Sequence, residues 1–374
     1  MKLGLALQWA NPQVTVPVQR VIRAEQLGYD SVWTAEIYGQ DAITPLAFLA
    51  AHTKRIRLGT GVVSLPYHNP LTVANRMIQL DHQTRGRVMF GVGPGLLPSD
   101  AFQMGIDPNT QRDRMVEAIE VILRLFNGER VTKKTEWFTL SNAISQLRPY
   151  TWPHPEICVA SSVTPSGGKL AGKHGFGMLC VAATQTSGYD ALGINWKIAN
   201  EVAAESGGKM DPEKLRLVGP LHIAETKQQA IDNIKFGFHK WAEYFAKISP
   251  INPNADRSID PLEQGIKDGV IVVGTPDDAI AQIKRLQAKQ GEFGCFLQLA
   301  HNWANFDNTK KSYELWQRHV TPVINNVNVN RTDSYNDAGA NSEKYIGAAM
   351  GAAMQTIQKH AIEQAAKDKK SAAE

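Results

Sequence analysis

Cysteine is scarce: the 374 residues hold three, an odd number with no C-x-x-C pair. Cys158, Cys180 and Cys295 each sit inside an apolar run (EICVA, GMLCVAA, GCFLQLA). That excludes a disulfide framework and a zinc knuckle, and predicts buried, reduced thiols. Charge of one sign is never concentrated. The 40 Lys and Arg against 36 Asp and Glu leave a net charge of +4, with no block of like charge, which argues against a nucleic-acid partner. No apolar run is long enough to cross a membrane, so no membrane span is expected. The opening MKLGLALQWA has neither a long apolar core nor a cleavage site. No leader is therefore expected, and a cytoplasmic setting is.

A dinucleotide fingerprint is also missing. The nearest candidate is RVMFGVGPGLLPSD (87–100), with glycines at 91, 93 and 95. A Rossmann loop needs G-x-G-x-x-G between a strand and an immediate helix in the first βα unit of its domain. Here Leu96 holds the third glycine's place, three strand-like runs come first, and the next helical pattern begins near 110. The better reading is a strand end whose backbone turns sharply or approaches a flat ligand.

What is present is a repeat. Eight apolar runs, 2–8, 31–36, 56–63, 87–92, 156–160, 177–182, 215–225 and 293–300, are nearly continuous rather than alternating. Parallel strands covered on both faces read this way. Amphipathic stretches separate them. VQRVIRAEQLG (18–28) closes on Gly28, and PLTVANRMIQLDHQT (70–84) opens on Pro70. RDRMVEAIEVILRLFNG (112–128) closes on Gly128, and TPDDAIAQIKRLQAKQG (275–291) starts with Thr275 and Asp278 at capping-box spacing. Eight βα units predict an α/β fold, a closed (β/α)8 TIM barrel over 1–322, with a doubly wound open sheet as the alternative. Insertions are expected at 129–155, where VTKKTEWFTL resembles a hairpin, at 184–213 and at 249–269. The last is rich in Pro, Asn and Asp and is a candidate lid. Residues 323–374 read as a polar linker and an Ala-rich helix, either weakly docked or an oligomer contact.

Two further stretches suggest a site. LGTGVVSLPYHNP (58–70) puts small residues at the end of the third strand, which either makes room for a ring or bends the strand. ASSVTPSGG (160–168) puts Ser161, Ser162, Thr164 and Ser166 just before a helix, as a phosphate pocket or as ordinary N-capping.

Taken in order, LGTGVVSLPYHNPL, LDHQTRGRVMFGVGPGLLPSDAFQMGIDP, QLRPY, TPSGGKLAGKHGFG, VGPLHIAET, VGTPDDAIAQI and LQLAHNWAN resemble the bacterial luciferase-like flavin monooxygenases, and most closely the limonene-monooxygenase-like branch. The resemblance implies an insertion-bearing TIM barrel that takes reduced FMN from a separate NAD(P)H:flavin reductase. It also implies reaction with O2 through a flavin hydroperoxide, to oxygenate a small apolar substrate such as a terpene, ketone or aldehyde. It implies a cis Gly61–Val62 bond under the flavin ring, a pocket wall at Gly93 and Leu96, and phosphate contacts at Ser161, Ser162 and Thr164. Relatives are commonly homo-oligomers.

One stretch departs from the branch. Its Glu-His-His after the second strand is here Glu36-Ile37-Tyr38, and TAEIYGQDAITPLA is closer to the deazaflavin-dependent branch. A deazaflavin-dependent hydride-transfer enzyme is therefore the second reading, and a non-catalytic flavin-binding protein the third. For chemistry there remain His301 after the eighth strand, Glu36 and Tyr38. Trp9, His68 and His222 are candidates for the substrate pocket. For each, a structural hydrogen bond or rim packing is the alternative.

Overall fold

The computed structural model describes residues 1–7, 16–37, 40–162, 164–181, 183–184, 191–247, 259–300 and 302–372. Eight parallel strands close on themselves: β1 (Lys2–Leu7), β2 (Ser31–Thr34), β3 (Arg57–Thr60), β4 (Val88–Gly93), β5 (Glu156–Ser161), β6 (Gly177–Cys180), β7 (Leu215–Ile223) and β8 (Cys295–Ala300). Each pairs with the next, and β8 pairs with β1 through Lys2↔Cys295 to Leu7↔Ala300. The eight apolar runs are these eight strands. The alternation hidden in them is one of two buried faces. Leu58, Phe90, Val92, Ile157, Val159 and Leu217 face the helices, whereas Trp33, Met89, Cys158, Leu179, Val218 and Leu297 fill the barrel. Both faces are mostly apolar along the strands, so no alternating polar register marks them.

Eight helices follow the strands: α1 (Val18–Gln26), α2 (Ile43–His52), α3 (Pro70–Thr84), α4 (Gln111–Phe126), α5 (Ser166–His174), α6 (Ala191–Glu205), α7 (Pro276–Gln290) and α8 (Phe306–Leu315). Their ends follow local chemistry. Asn69 caps α3 by accepting the Leu71 N–H, and Pro70 opens it. The Asp278 carboxylate accepts the Thr275 backbone N–H at 2.7 Å, closing the capping box of α7.

The expected hairpin is Val131–Lys134 paired with Thr139–Ala143. Residues 184–213 hold α6, a regular barrel helix, rather than only an insertion. Of the stretch 249–269, residues 249–258 lie outside the described residues, and Pro261–Lys267 is a short helix. With Lys227–Ile234 and Phe238–Lys247 it surrounds a separate small core that includes Ile234, Phe238, Ile271, Val273 and Trp303.

The N-terminal half of the barrel is plugged by charge. Arg216 is 2% exposed inside the barrel, its guanidinium 2.7 Å from Glu156 and over the Trp33 ring. Glu156 also meets Arg57 at 3.0 Å, and Arg57 meets Asp30 at 2.8 Å. The three cysteines are free and buried, and burial pushes each thiol up to about 12, so none is a reactive thiolate.

Residues Met1–Ile324 form one compact unit and Asn325–Glu374 a second. In the second, the stretch read as linker is helical over Val329–Ala340, and Ser342–Ser371 is a 30-residue helix. Among the described residues, no helix is long and apolar enough to cross a membrane.

Candidate active site

The loops after the strands gather chemistry at the C-terminal face, where barrels of this kind place it. Glu36 lies just beyond β2. Its N–H donates to the Val62 carbonyl at 3.1 Å, one carboxylate oxygen accepts the Ser64 N–H at 2.8 Å, and the other lies 2.6 Å from His68 Nε2. The Gly61–Val62 peptide between them is cis, and the Gly61 N–H donates to Thr34 O at 2.6 Å. Two residues read separately, one as catalytic and one as pocket lining, thus form one pair.

Each glycine of the loop has a packing or conformational reason. Thr60 replaces a strand-to-strand bond with its side chain, its hydroxyl donating to Gly91 O and accepting the Gly91 N–H at 2.9 Å. A Cβ on Gly91 would collide with the Thr60 carbonyl. A Cβ on Gly93 would sit 2.6 Å from Val62 Cγ2, so strand end β4 lies against the cis segment. Gly95 has φ +93°, a left-handed conformation that suits glycine. Gln111 donates to both Pro94 O and the Tyr67 hydroxyl at 2.9 Å, which fixes the turn from below. Burial pushes that phenol up to about 12, with the Asp100 charge adding to it, so Tyr67 keeps its proton. Leu96, which follows the turn, stands 56% exposed.

A third group sits at the start of α5. Thr164 Oγ1 and Ser166 Oγ are 2.9 Å apart, and Arg112 Nε donates to Thr164 Oγ1 at 3.4 Å. Hydroxyls, a guanidinium and the N-terminal N–H groups of a nine-residue helix make a donor-rich surface suited to a phosphate. Ser162 is half-buried beside it, but Ser161 is only 2% exposed and accepts from the Asn195 amide at 2.8 Å. Asn195 also donates to Ser162 O at 3.3 Å. Arg112, Gln111 and Asn195 were not legible as site residues. They look like ordinary helix positions until the barrel brings α4 and α6 against the loop after β5.

His222 is buried away from solvent, with Asn233 Nδ2 3.2 Å from its Nε2 and Asn308 bonded to Asn233 in turn. Burial pushes its imidazole down to about 4, so it is neutral. Trp9, Tyr38 and His301 lie outside the described residues.

A closed (β/α)8 barrel with a glycine-lined strand end, a donor-rich cradle and an acid–imidazole pair on one face has the architecture of an enzyme. The family model described as "Luciferase-like monooxygenase" matches residues 1–291. Limonene 1,2-monooxygenase of Rhodococcus erythropolis is 41% identical over 357 residues, 94% of this chain and 91% of that protein. 4-Hydroxyprotoasukamycin monooxygenase of Streptomyces nodosus subsp. asukaensis is 38% identical over 83% of this chain and 87% of its own length. F420-dependent glucose-6-phosphate dehydrogenase of Amycolatopsis mediterranei is 28% identical over 71% of this chain and 83% of its own length. Among solved structures, monooxygenase RslO1 of Streptomyces bottropensis superposes with TM-score 0.75 at 24% identity, over 87% of this chain and all of that one. The oxygenating constituent of 3,6-diketocamphane monooxygenase of Pseudomonas putida, solved with FMN, gives 0.69 at 22%, over 86% and 98%. The chain belongs to the luciferase-like monooxygenase family, and its fold is the family's TIM barrel.

Proposed function

We propose that the chain is a two-component monooxygenase that receives reduced FMN from a separate NAD(P)H:flavin reductase. It inserts one atom of O2 into a small apolar molecule, terpene-, ketone- or aldehyde-like, and releases the other as water. The observation that carries the cofactor is the cradle of Arg112, Thr164 and Ser166 at the N-terminus of α5. Its donors fit a phosphate dianion, and no carboxylate takes part in those contacts. On this reading the flavin ring lies against Gly93, Leu96 and the Gly61–Val62 segment, at the ends of β3 and β4. When bound, reduced FMN supplies the two electrons and activates O2. The chain's own residues hold the phosphate, flank the ring and shield it from water. Monooxygenase relatives at 41% and 38% identity support the reaction class. On this reading the protein acts in the cytoplasm as a homo-oligomer.

The deazaflavin-dependent hydride-transfer reading is favoured by the Glu36-Ile37-Tyr38 sequence and by the F420-dependent relative. Anaerobic titration with reduced FMN and with reduced deazaflavin, followed by mixing with O2 and a panel of terpenes, ketones and aldehydes, separates the readings. Tight binding of reduced FMN, with O2 consumption coupled to an oxygenated product, is expected. Preference for the deazaflavin with no O2 consumed overturns the proposal. FMN binding without turnover on any substrate favours a non-catalytic flavin-binding protein.

A further inference from the structure

Glu36 and His68 come from different βα units and meet only because β2 and β3 end side by side. Glu36 is held at its backbone and at both carboxylate oxygens. Its own backbone N–H is tied to Val62, one oxygen takes the Ser64 N–H, and the other faces the imidazole at 2.6 Å. The segment 61–68 is thereby pinned at three points, and His68 is held further by its N–H to Leu65 O at 3.2 Å. A carboxylate accepts hydrogen bonds and donates none, so the shared proton belongs to His68 Nε2. In the neutral ring Nδ1 is then a bare acceptor. The side chain is 24% exposed, and Nδ1 is not among the buried, partnerless atoms of the described residues. Nearby Tyr67 offers no substitute base, because its hydroxyl already accepts from Gln111 and keeps its proton.

We propose that Glu36 is a positioning residue that fixes the orientation and tautomer of His68, so that Nδ1 is the hydrogen-bond acceptor presented to the molecule bound at this face. A carboxylate that sets the tautomer of a working imidazole is a recurring catalytic device, and reversing the tautomer costs rate without disturbing the fold. What Nδ1 meets rests on the flavin reading above; the geometry of the pair does not.

The test is Glu36→Gln, nearly isosteric. The amide oxygen keeps the Ser64 N–H, while the amide NH2 donates to His68 Nε2 and forces the ring proton onto Nδ1. Ring 13C and 15N shifts of labelled histidine in the unliganded protein, at alkaline pH, should give the Nε2–H form in the parent and the Nδ1–H form in E36Q. Turnover with saturating reduced FMN should fall about 10²-fold in E36Q, with flavin affinity unchanged. H68N should be as slow, and E36Q/H68N no slower than H68N alone. The same tautomer in both proteins, or additive losses in the double variant, overturns the proposal. A parent enzyme that gives no oxygenated product sinks the flavin reading, whereas the tautomer shifts still decide the role of Glu36.

Discussion

Replacing Glu156 by Gln should destabilise the protein far more than replacing Arg216, although the two form one ion pair. At 2.7 Å and an effective dielectric of about 20 their gross attraction is about 6 kcal/mol. Desolvating a buried ion costs several kcal/mol, so the net worth of the pair is small. The two partners are not equally placed. Glu156 is 23% exposed and keeps Arg57 at 3.0 Å when Arg216 is lost. Arg216 is 2% exposed, and without Glu156 it keeps only Cys158 Sγ, Met89 Sδ, Lys214 O and the Trp33 face. E156Q therefore strands a charge in the barrel, at about 3–5 kcal/mol, whereas R216M puts an apolar side chain among apolar neighbours, at about 1–2 kcal/mol. The double variant should cost about as much as R216M alone, about 1–4 kcal/mol less than E156Q. Urea unfolding of the four proteins, with equal m-values, measures this. If R216M is the costlier change, or if the two losses simply add, the reasoning is refuted.

Two further predictions concern the site and its margin. Arg112→Gln should weaken FMN binding about tenfold, near 1.4 kcal/mol, and leave riboflavin binding unchanged. Equal losses for both flavins in fluorescence titrations would remove Arg112 from the phosphate cradle. His222 is pushed by burial from the ordinary 6.5 to about 4, so as pH falls the unfolded chain takes this proton first. Stability from this residue is complete above about 6.5, is lost as pH falls towards 4, and is constant below, with a total of up to about 3 kcal/mol. His222→Asn should flatten that part of the stability–pH curve, and an unchanged slope between pH 6.5 and 4 would show that another group carries it.

The eightfold repeat and the helix ends were legible because each depends on short-range rules. A strand buried on both faces is apolar throughout, a helix begins at Asn69-Pro70 or Thr275-x-x-Asp278, and it ends at a glycine such as Gly128, with φ +78°. The same rules misread the polar stretch after 323, which is helical over Val329–Ala340 although it carries no apolar stripe to announce a helix. The glycine spacing of 87–100, which fails the dinucleotide fingerprint, was also visible; the short helix Pro98–Gln103 that follows it was not, since the next helix was expected only near 110.

Why Gly91 must be glycine was not visible, because the atom in its way is the carbonyl of Thr60, 31 residues earlier. Nor was the pairing of Glu36 with His68 across 32 residues, or of Arg112 with Thr164 across 52. Sequence determined the residue types that could do chemistry and the strand ends on which they ride. Closure of the barrel decided which of them meet, because neighbours around a barrel are set by strand order and stagger, and those depend on all eight strands packing at once.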